Sequence, residues 1–163
     1  MATIIQTDRL RLRELTLDDL FAVYALSRED SMARWIPDQV YAYESEAREV
    51  IDLLMTCYEK RLYPYVLGVE LIETDTLIGH VGLSETPEGI EIGYAIGEDY
   101  QRRGYATEAV TAVINWAREG LNLKLIYGFV KDGNIASLSV LAKTEFVRCA
   151  EQTRTGWVMM VRS

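Results

Sequence analysis

With 163 residues and 49% hydrophobic residues, the chain is sized for one domain with a buried core, spanning 1–163. Its formal net charge of −8 argues against a nucleic-acid partner, because such binding runs on neutralising phosphates with Lys and Arg. No window is long and apolar enough to span a membrane, and the opening Met-Ala-Thr-Ile-Ile-Gln-Thr-Asp lacks the basic-then-apolar layout of a signal peptide, so a cytoplasmic protein is expected. The two cysteines, Cys57 and Cys149, stand far apart, and His80 is the single histidine. Two buried free thiols and no metal are the expectation.

Ile4 to Glu14 alternates as a strand, with Leu10 and Leu12 on one side and Arg9, Arg11 and Arg13 on the other. Thr16-Leu-Asp-Asp reads as a helix start with Thr16 as N-cap, leading into Phe21, Tyr24 and Ala25. Ser31 to Val40, with Trp35 and Pro37, reads as a loop. A second helix is expected over about 44–60, placing Val50, Leu53, Leu54 and Cys57 at helical spacing behind an acidic first turn. Tyr63–Leu71, Leu77–Ser84 and Ile90–Ile96 then read as an antiparallel meander with turns at 73–75 and 85–89. Gly104–Glu119 is an amphipathic helix burying Ala106, Ala109, Val110, Val113 and Trp116, closed by Gly120. The remainder reads as strand Lys124–Val130, helix Asn134–Thr144 and strands Phe146–Ala150 and Trp157–Arg162. The order mixes strands and helices around one βαβ unit.

The most informative stretch joins Ile90-Glu-Ile-Gly-Tyr-Ala-Ile96 to the helix at Gly104. Gln101-Arg102-Arg103-Gly104-Tyr105-Ala106 stands where loop becomes helix. A helix start offers unpaired N–H groups and the positive end of the dipole. Gly104 permits close backbone approach, and two arginines add charge, which together describe a phosphate-binding turn. It is neither a Walker A loop nor a Gly-x-Gly-x-x-Gly fingerprint.

These residues resemble the Gln/Arg-x-x-Gly-x-Gly/Ala motif of the GNAT acyltransferases, and within them the branch of ribosomal-protein N-terminal alanine acetyltransferases. Thr7-Asp-Arg9-Leu10-Arg11-Leu12-Arg13, Glu91-Ile-Gly-Tyr94 and Asn134-x-x-Ser137 are similar to that branch's other signatures, so the resemblance covers about 7–150. It implies an α/β (α+β) fold with a central mixed, mostly antiparallel twisted sheet flanked by helices. It also implies acetyl-CoA as co-substrate, with no metal. Arg102, Arg103, Gly104, Tyr105, Ala106 and Thr107 would face the pyrophosphate beside Gln101. Tyr94, Ala95 and Ile96 would pair with the pantetheine arm, helped by a bulge near Gly93. Asn134 is a cofactor contact or an N-cap, or both.

Thioester-to-amine transfer needs a held donor, a polarised carbonyl and a neutral amine, but no covalent intermediate. Glu91 is the base candidate, with Tyr94 and Tyr127 as alternatives, and Ser137 the candidate acid toward the thiolate. Many family members carry a tyrosine four residues beyond this serine; Leu141 stands there instead. Glu145 replaces the glycine usual before Phe146. Trp35 and Tyr41, with Pro37 and Tyr43, either enclose the acceptor amine or plug the core, and Thr153–Gly156 is expected as a hairpin turn near the same mouth. The implied acceptor is a protein or peptide N-terminal amine, with a small-molecule amine or a non-catalytic acyl-CoA-binding role as alternatives. A homodimer is allowed but nothing requires one.

Overall fold

A computed structural model describes residues 2–163. The strands are β1 (Thr3–Gln6), β2 (Leu10–Glu14), β3 (Tyr65–Leu71), β4 (Thr76–Thr86), β5 (Gly89–Ile96), β6 (Ile126–Lys131), β7 (Val147–Arg148) and β8 (Trp157–Arg162). They form one eight-stranded sheet in the order β1-β2-β3-β4-β5-β6-β8-β7. Every neighbouring pair is antiparallel except β5–β6. The helices are α1 (Leu20–Ser27), α2 (Asp30–Trp35), α3 (Glu44–Lys60), α4 (Tyr105–Gly120) and α5 (Ile135–Lys143). The mixed, mostly antiparallel sheet flanked by helices is the fold expected from the resemblance.

The alternation read over Ile4–Glu14 belongs to two strands rather than one. The chain reverses between Gln6 and Leu10, where the Thr7 N–H donates to the Leu10 carbonyl at 2.9 Å. Leu10 and Leu12 are fully buried as expected, but Arg13 does not face solvent: it is 4% exposed. Its guanidinium forks onto Asp19 at 2.8 and 2.9 Å and reaches Glu70 at 2.6 Å. These three buried charges tie β2 and β3 to the segment entering α1. At that entry Thr16 is the N-cap as expected, and the Asp19 carboxylate three residues on accepts the Thr16 N–H at 2.9 Å. Leu17–Asp19 forms a single 3₁₀ turn before α1 begins.

Ser31–Val40 is not a loop but α2 and a 3₁₀ turn, Pro37–Gln39. The partner that starts α2 is distant in sequence: the Glu98 carboxylate accepts the Ser31 N–H at 2.7 Å, while Glu29 accepts the Glu98 N–H at 2.9 Å. The second long helix, α3, has the expected bounds, although Leu53 is 53% exposed. α4 ends on Gly120, but the left-handed residue that closes it is Asn122, with φ 54°. The last short strand covers only Val147–Arg148, and Cys149 is half-buried while Cys57 is buried.

The two faces of the sheet are packed differently. α4 lays Ala109, Val110, Val113, Ile114 and Ala117 against Val81, Leu83, Ile92 and Ile96 in the large core. The opposite face carries α1 and α3 over a much smaller core of Leu15, Leu54 and Tyr58.

Candidate active site

The turn from β5 into α4 is built as its residues dictate. After β5 the chain makes a 3₁₀ turn, Glu98–Tyr100. Arg102 and Gly104 both adopt left-handed conformations, with φ 59° and 81°. Gly104 is the N-cap of α4 and supplies no side-chain cap, so the first-turn N–H groups of Tyr105, Ala106 and Thr107 have no partner within the helix. Arg102 and Arg103 are exposed and, among the described residues, make no ion pair. Behind the turn stands a brace that sequence reasoning did not assign. Arg9 donates to the Arg103 carbonyl at 2.9 Å and to Glu108 at 2.7 Å, and lies 4.5 Å above the Tyr105 ring. Thr7 adds a 2.6 Å bond to Glu108. The only sequence signal was the Thr7–Arg13 segment, whose resemblance carried no stated role.

β5 meets its neighbours unequally. Toward β4 it pairs without interruption from Gly79 opposite Ile96 to Thr86 opposite Gly89. The bulge expected near Gly93 is therefore absent; a bulge lies between β3 and β4 instead. Toward β6 it makes one parallel pair, Glu91 opposite Tyr127. The Gly97 N–H donates to Ile78, its register partner, at 2.8 Å. Antiparallel alternation then directs the backbone groups of Glu91, Gly93 and Ala95 to β4 and those of Ile92, Tyr94 and Ile96 toward β6. Beyond Glu91 that side is an open seam. The Gln101 amide takes the Ile96 carbonyl at 2.9 Å, leaving the Tyr94 and Ile96 N–H groups facing the gap.

α5 lines the other side of the seam. Asn134 is its N-cap, accepting the Ser137 N–H at 3.3 Å. The Tyr94 hydroxyl crosses to Ser137, 2.8 Å from Oγ and 3.0 Å from its carbonyl oxygen. Burial pushes the Tyr94 phenol up to about 12, partly offset by the Ser137 contact, so it stays a proton donor near neutral pH.

On the α1–α3 face the same two strands present His80, Gly82 and Ser84 from β4 and Glu91, Gly93 and Ala95 from β5. Burial raises the Glu91 carboxyl above its ordinary range, against the pull of Arg154, whose guanidinium lies 4.0 Å away. Arg154 is held 3.1 Å from Glu88 and stacks 3.5 Å over Phe129, which fixes the Thr153–Gly156 turn beside Glu91. Above this floor opens a cavity of about 360 Å³ under α1 and α3. Tyr41 lines it; Trp35 does not, nor does Tyr43, which is 69% exposed. His80, unassigned by sequence reasoning, lines it too, and burial pushes its imidazole down to about 4.

A model of the GNAT acetyltransferase domain matches residues 9–147. The chain belongs to the GNAT acetyltransferase family. An uncharacterized N-acetyltransferase of Bacillus subtilis (strain 168), YoaA, is 32% identical over 150 residues, covering 90% of this chain and 84% of that protein. Among solved structures, a ribosomal-protein alanine acetyltransferase from Vibrio fischeri superposes with a TM-score of 0.83 at 20% identity over 99% of this chain and 96% of its own. RimL, an alpha-N-protein acetyltransferase acting on a ribosomal protein and bound to coenzyme A, superposes with a TM-score of 0.78 at 18% identity over 99% and 97%. At those identities the two structures establish the fold.

Against the GNAT pattern, two departures gain a structural reason. Leu141, at the usual tyrosine position, is buried, and its Cδ1 lies 2.6 Å from where a Cβ on Gly128 would be. The hydroxyl near Ser137 comes from Tyr94 on the opposing strand instead. Glu145, at the usual glycine position, holds a left-handed φ of 67° and pairs with Arg162.

Proposed function

We propose that this acetyltransferase is a single-domain enzyme moving an acetyl group from acetyl-CoA directly to a primary amine. The observation that carries the reading is the seam between β5 and β6, which runs from free backbone donors to a helix N-terminus. A pantetheine arm needs amide partners along an open strand edge, and Tyr94, Ala95 and Ile96 supply one. A pyrophosphate needs N–H groups at a helix start, and Gly104 through Thr107 with Arg102 and Arg103 supply them. Gln101 and Asn134 hold the two sides of the seam in place.

In this reading the Tyr94 or Ile96 N–H polarises the thioester carbonyl. Glu91 takes a proton from the acceptor ammonium through water, since a raised carboxyl pKa brings it closer to its task. The amine nitrogen attacks the carbonyl carbon, a C–N bond forms, and the C–S bond breaks as the tetrahedral adduct collapses and the nitrogen loses its second proton to solvent. Ser137 Oγ–H protonates the departing thiolate and recovers a proton through the Tyr94 hydroxyl, which is reprotonated by the solvent that took the nitrogen's second proton. A protein or peptide N-terminus is one acceptor class, supported by what RimL and the alanine acetyltransferase are named for. A small amine is the other, supported by the small volume, about 360 Å³, of the cavity that Tyr41 lines. A cytoplasmic, non-membrane setting fits the absence, among the described residues, of any helix long and apolar enough to cross a membrane.

A thermal-shift titration with acetyl-CoA, CoA, ATP and NAD tests the donor site. A ligand at about a hundred times its dissociation constant adds roughly 2.7 kcal/mol, several degrees for a domain this size. A rise with acetyl-CoA and CoA alone is expected; an equal rise with ATP or NAD, or none at all, overturns the reading. Acetyl-CoA binding without turnover of any amine would make the chain a non-catalytic acyl-CoA-binding module.

A further inference from the structure

The cavity on the α1–α3 face has a chemistry of its own. Its floor is the β4–β5 ladder stripped of side chains, since Gly82 lies opposite Gly93 and Ala95 opposite His80. A Cβ on Gly93 would meet nothing within 4 Å, so the hollow begins at the backbone itself. Gly82 is confined from the other side, because a Cβ there would stand 2.6 Å from the Val66 Cα. His80 lines one end of this floor, and Glu91, opposite Ser84 on the ladder, stands at the edge of the other end without lining the cavity itself. Each is two residues along the ladder from the Gly82–Gly93 pair, about 7 Å. The Tyr94 N–H, which faces the seam, adjoins that same centre.

The upper walls are aliphatic. Val23 and Leu26 of α1 and Val50 and Leu54 of α3 look into the space. The charged residues lining it, Glu29 and Asp38, are both negative, and no Lys or Arg lines it. Glu29 accepts only the backbone N–H of Glu98 and, among the described residues, has no cation beside it. A volume of about 360 Å³ lies at the small end of ligand pockets.

We propose that the acceptor is a compact primary amine carrying an apolar body, such as an aralkyl or branched alkyl amine. Its nitrogen stands over Gly93 between His80 and Glu91, and its hydrocarbon fills the space under α1 and α3. This rests on the acetyltransferase reading. An ammonium entering meets Glu29 and Asp38 along the walls, and near Glu91 the one cation among the described residues, Arg154, is already paired with Glu88 at 3.1 Å. His80, held neutral at physiological pH by its burial, offers a ring-nitrogen lone pair to the amine. The body finds aliphatic walls that would otherwise face water. A peptide continuing past its first residue would bring backbone N–H and C=O groups against those same walls, where they would lose water without gaining partners. A polyamine would bury a second charge with the same penalty.

The test compares kcat/KM for 2-phenylethylamine and 3-methylbutylamine with spermidine and with short peptides beginning in Ala, Ser or Phe. The apolar amines are expected to lead by about tenfold or more, since each buried methylene discriminates by roughly that factor. Two variants localise the effect. Leu53→Arg sits on the exposed side of α3 at the cavity, so folding tolerates it while its charge opposes an ammonium. Val23→Trp fills the interior. Both are expected to raise KM for the apolar amines about tenfold while leaving the acetyl-CoA thermal shift unchanged. Calorimetry of 2-phenylethylamine with CoA-saturated protein measures amine binding without turnover. Binding with no acetylation sinks the enzyme reading and leaves the amine site standing. Peptides or spermidine turning over as well as the apolar amines, or variants that leave KM unmoved, overturn the amine proposal and leave the enzyme reading standing. A lead for the Phe-initiated peptide alone overturns it as well, because the chain beyond the first residue would then be accommodated.

Discussion

The two faces of one sheet do opposite work. On the α4 face, Val81, Leu83, Ile92 and Ile96 interlock with Val110 and Val113, all at most 8% exposed. On the other face the same strands turn out His80, Gly82, Ser84, Gly93 and Ala95 beneath a cavity. Residues one step apart along β4 therefore answer to different demands. The packed face supplies the burial that holds the fold, at about 25 cal/mol per Å² of apolar surface. The hollow face gives up that burial and leaves a cavity of about 360 Å³. The same contrast runs within the plane of the sheet, where β5 is fully zipped to β4 but joined to β6 by one pair.

Adjacent substitutions put this contrast to the sharpest trial. Leu83→Ala on the packed face is expected to cost about 2–5 kcal/mol in urea unfolding, through lost transfer energy plus the cavity left behind. Ser84→Ala, its neighbour on the hollow face, is expected to stay within about 0.5 kcal/mol. Similar losses from both would mean the two faces are equally packed.

Glu91→Gln comes next and acts on rate rather than stability. A base must be ionised to work, and burial raises this carboxyl, so wild-type kcat/KM should fall as pH drops through a value above the ordinary carboxylate range. The amide removes that limb and about 10²-fold of activity at neutral pH. A pH–rate profile unchanged by the substitution would place the base elsewhere.

Gly104→Val breaks the donor end of the seam. A β-branched residue is strained at a φ of 81°, and the first turn of α4 loses its approach to phosphate. The acetyl-CoA stabilisation, roughly 2.7 kcal/mol at about a hundred times the wild-type dissociation constant, should vanish while the loss of apo stability is smaller. A full shift in the variant would move the phosphate site off this turn.

The smallest effect belongs to Glu145→Gly, far from both faces of the ladder. Relief of a left-handed φ contributes about 1–2 kcal/mol. The lost pair between Glu145, which is 71% exposed, and Arg162 takes back about 0.2–1 kcal/mol. A net rise of roughly 0.5–1 kcal/mol, with turnover unchanged, is expected in thermal melts. A fall would mean the ion pair outweighs the backbone strain.

The turn from β5 into α4 was legible because it is made of backbone, and backbone conformation is written locally. Gly104 and the arginines before it announce a turn into a helix, and the helix read over 44–60 and the strand read over 157–162 are elements that the structure reproduces. Where a reading failed, a distant partner had intervened. Ser31–Val40 folds as helix because Glu98 caps it across 67 residues, and Arg13 is buried because Asp19 and Glu70 converge on it. The expected bulge at Gly93 was a guess at how β5 leaves its neighbour, and the parting occurs on the β6 side instead.

The sequence by itself determined the family, the elements from β3 onward and the turn into α4 at Gly104, because periodicity and turn chemistry act over a few residues. Only the tertiary structure decided that Arg9 braces that turn, that the Tyr94 hydroxyl reaches Ser137, that Tyr41 lines the cavity while Trp35 does not, and that His80 and Glu91 bracket a glycine floor. Each of these is a meeting of side chains far apart in the chain, and such meetings are set by sheet register and packing rather than by local spacing.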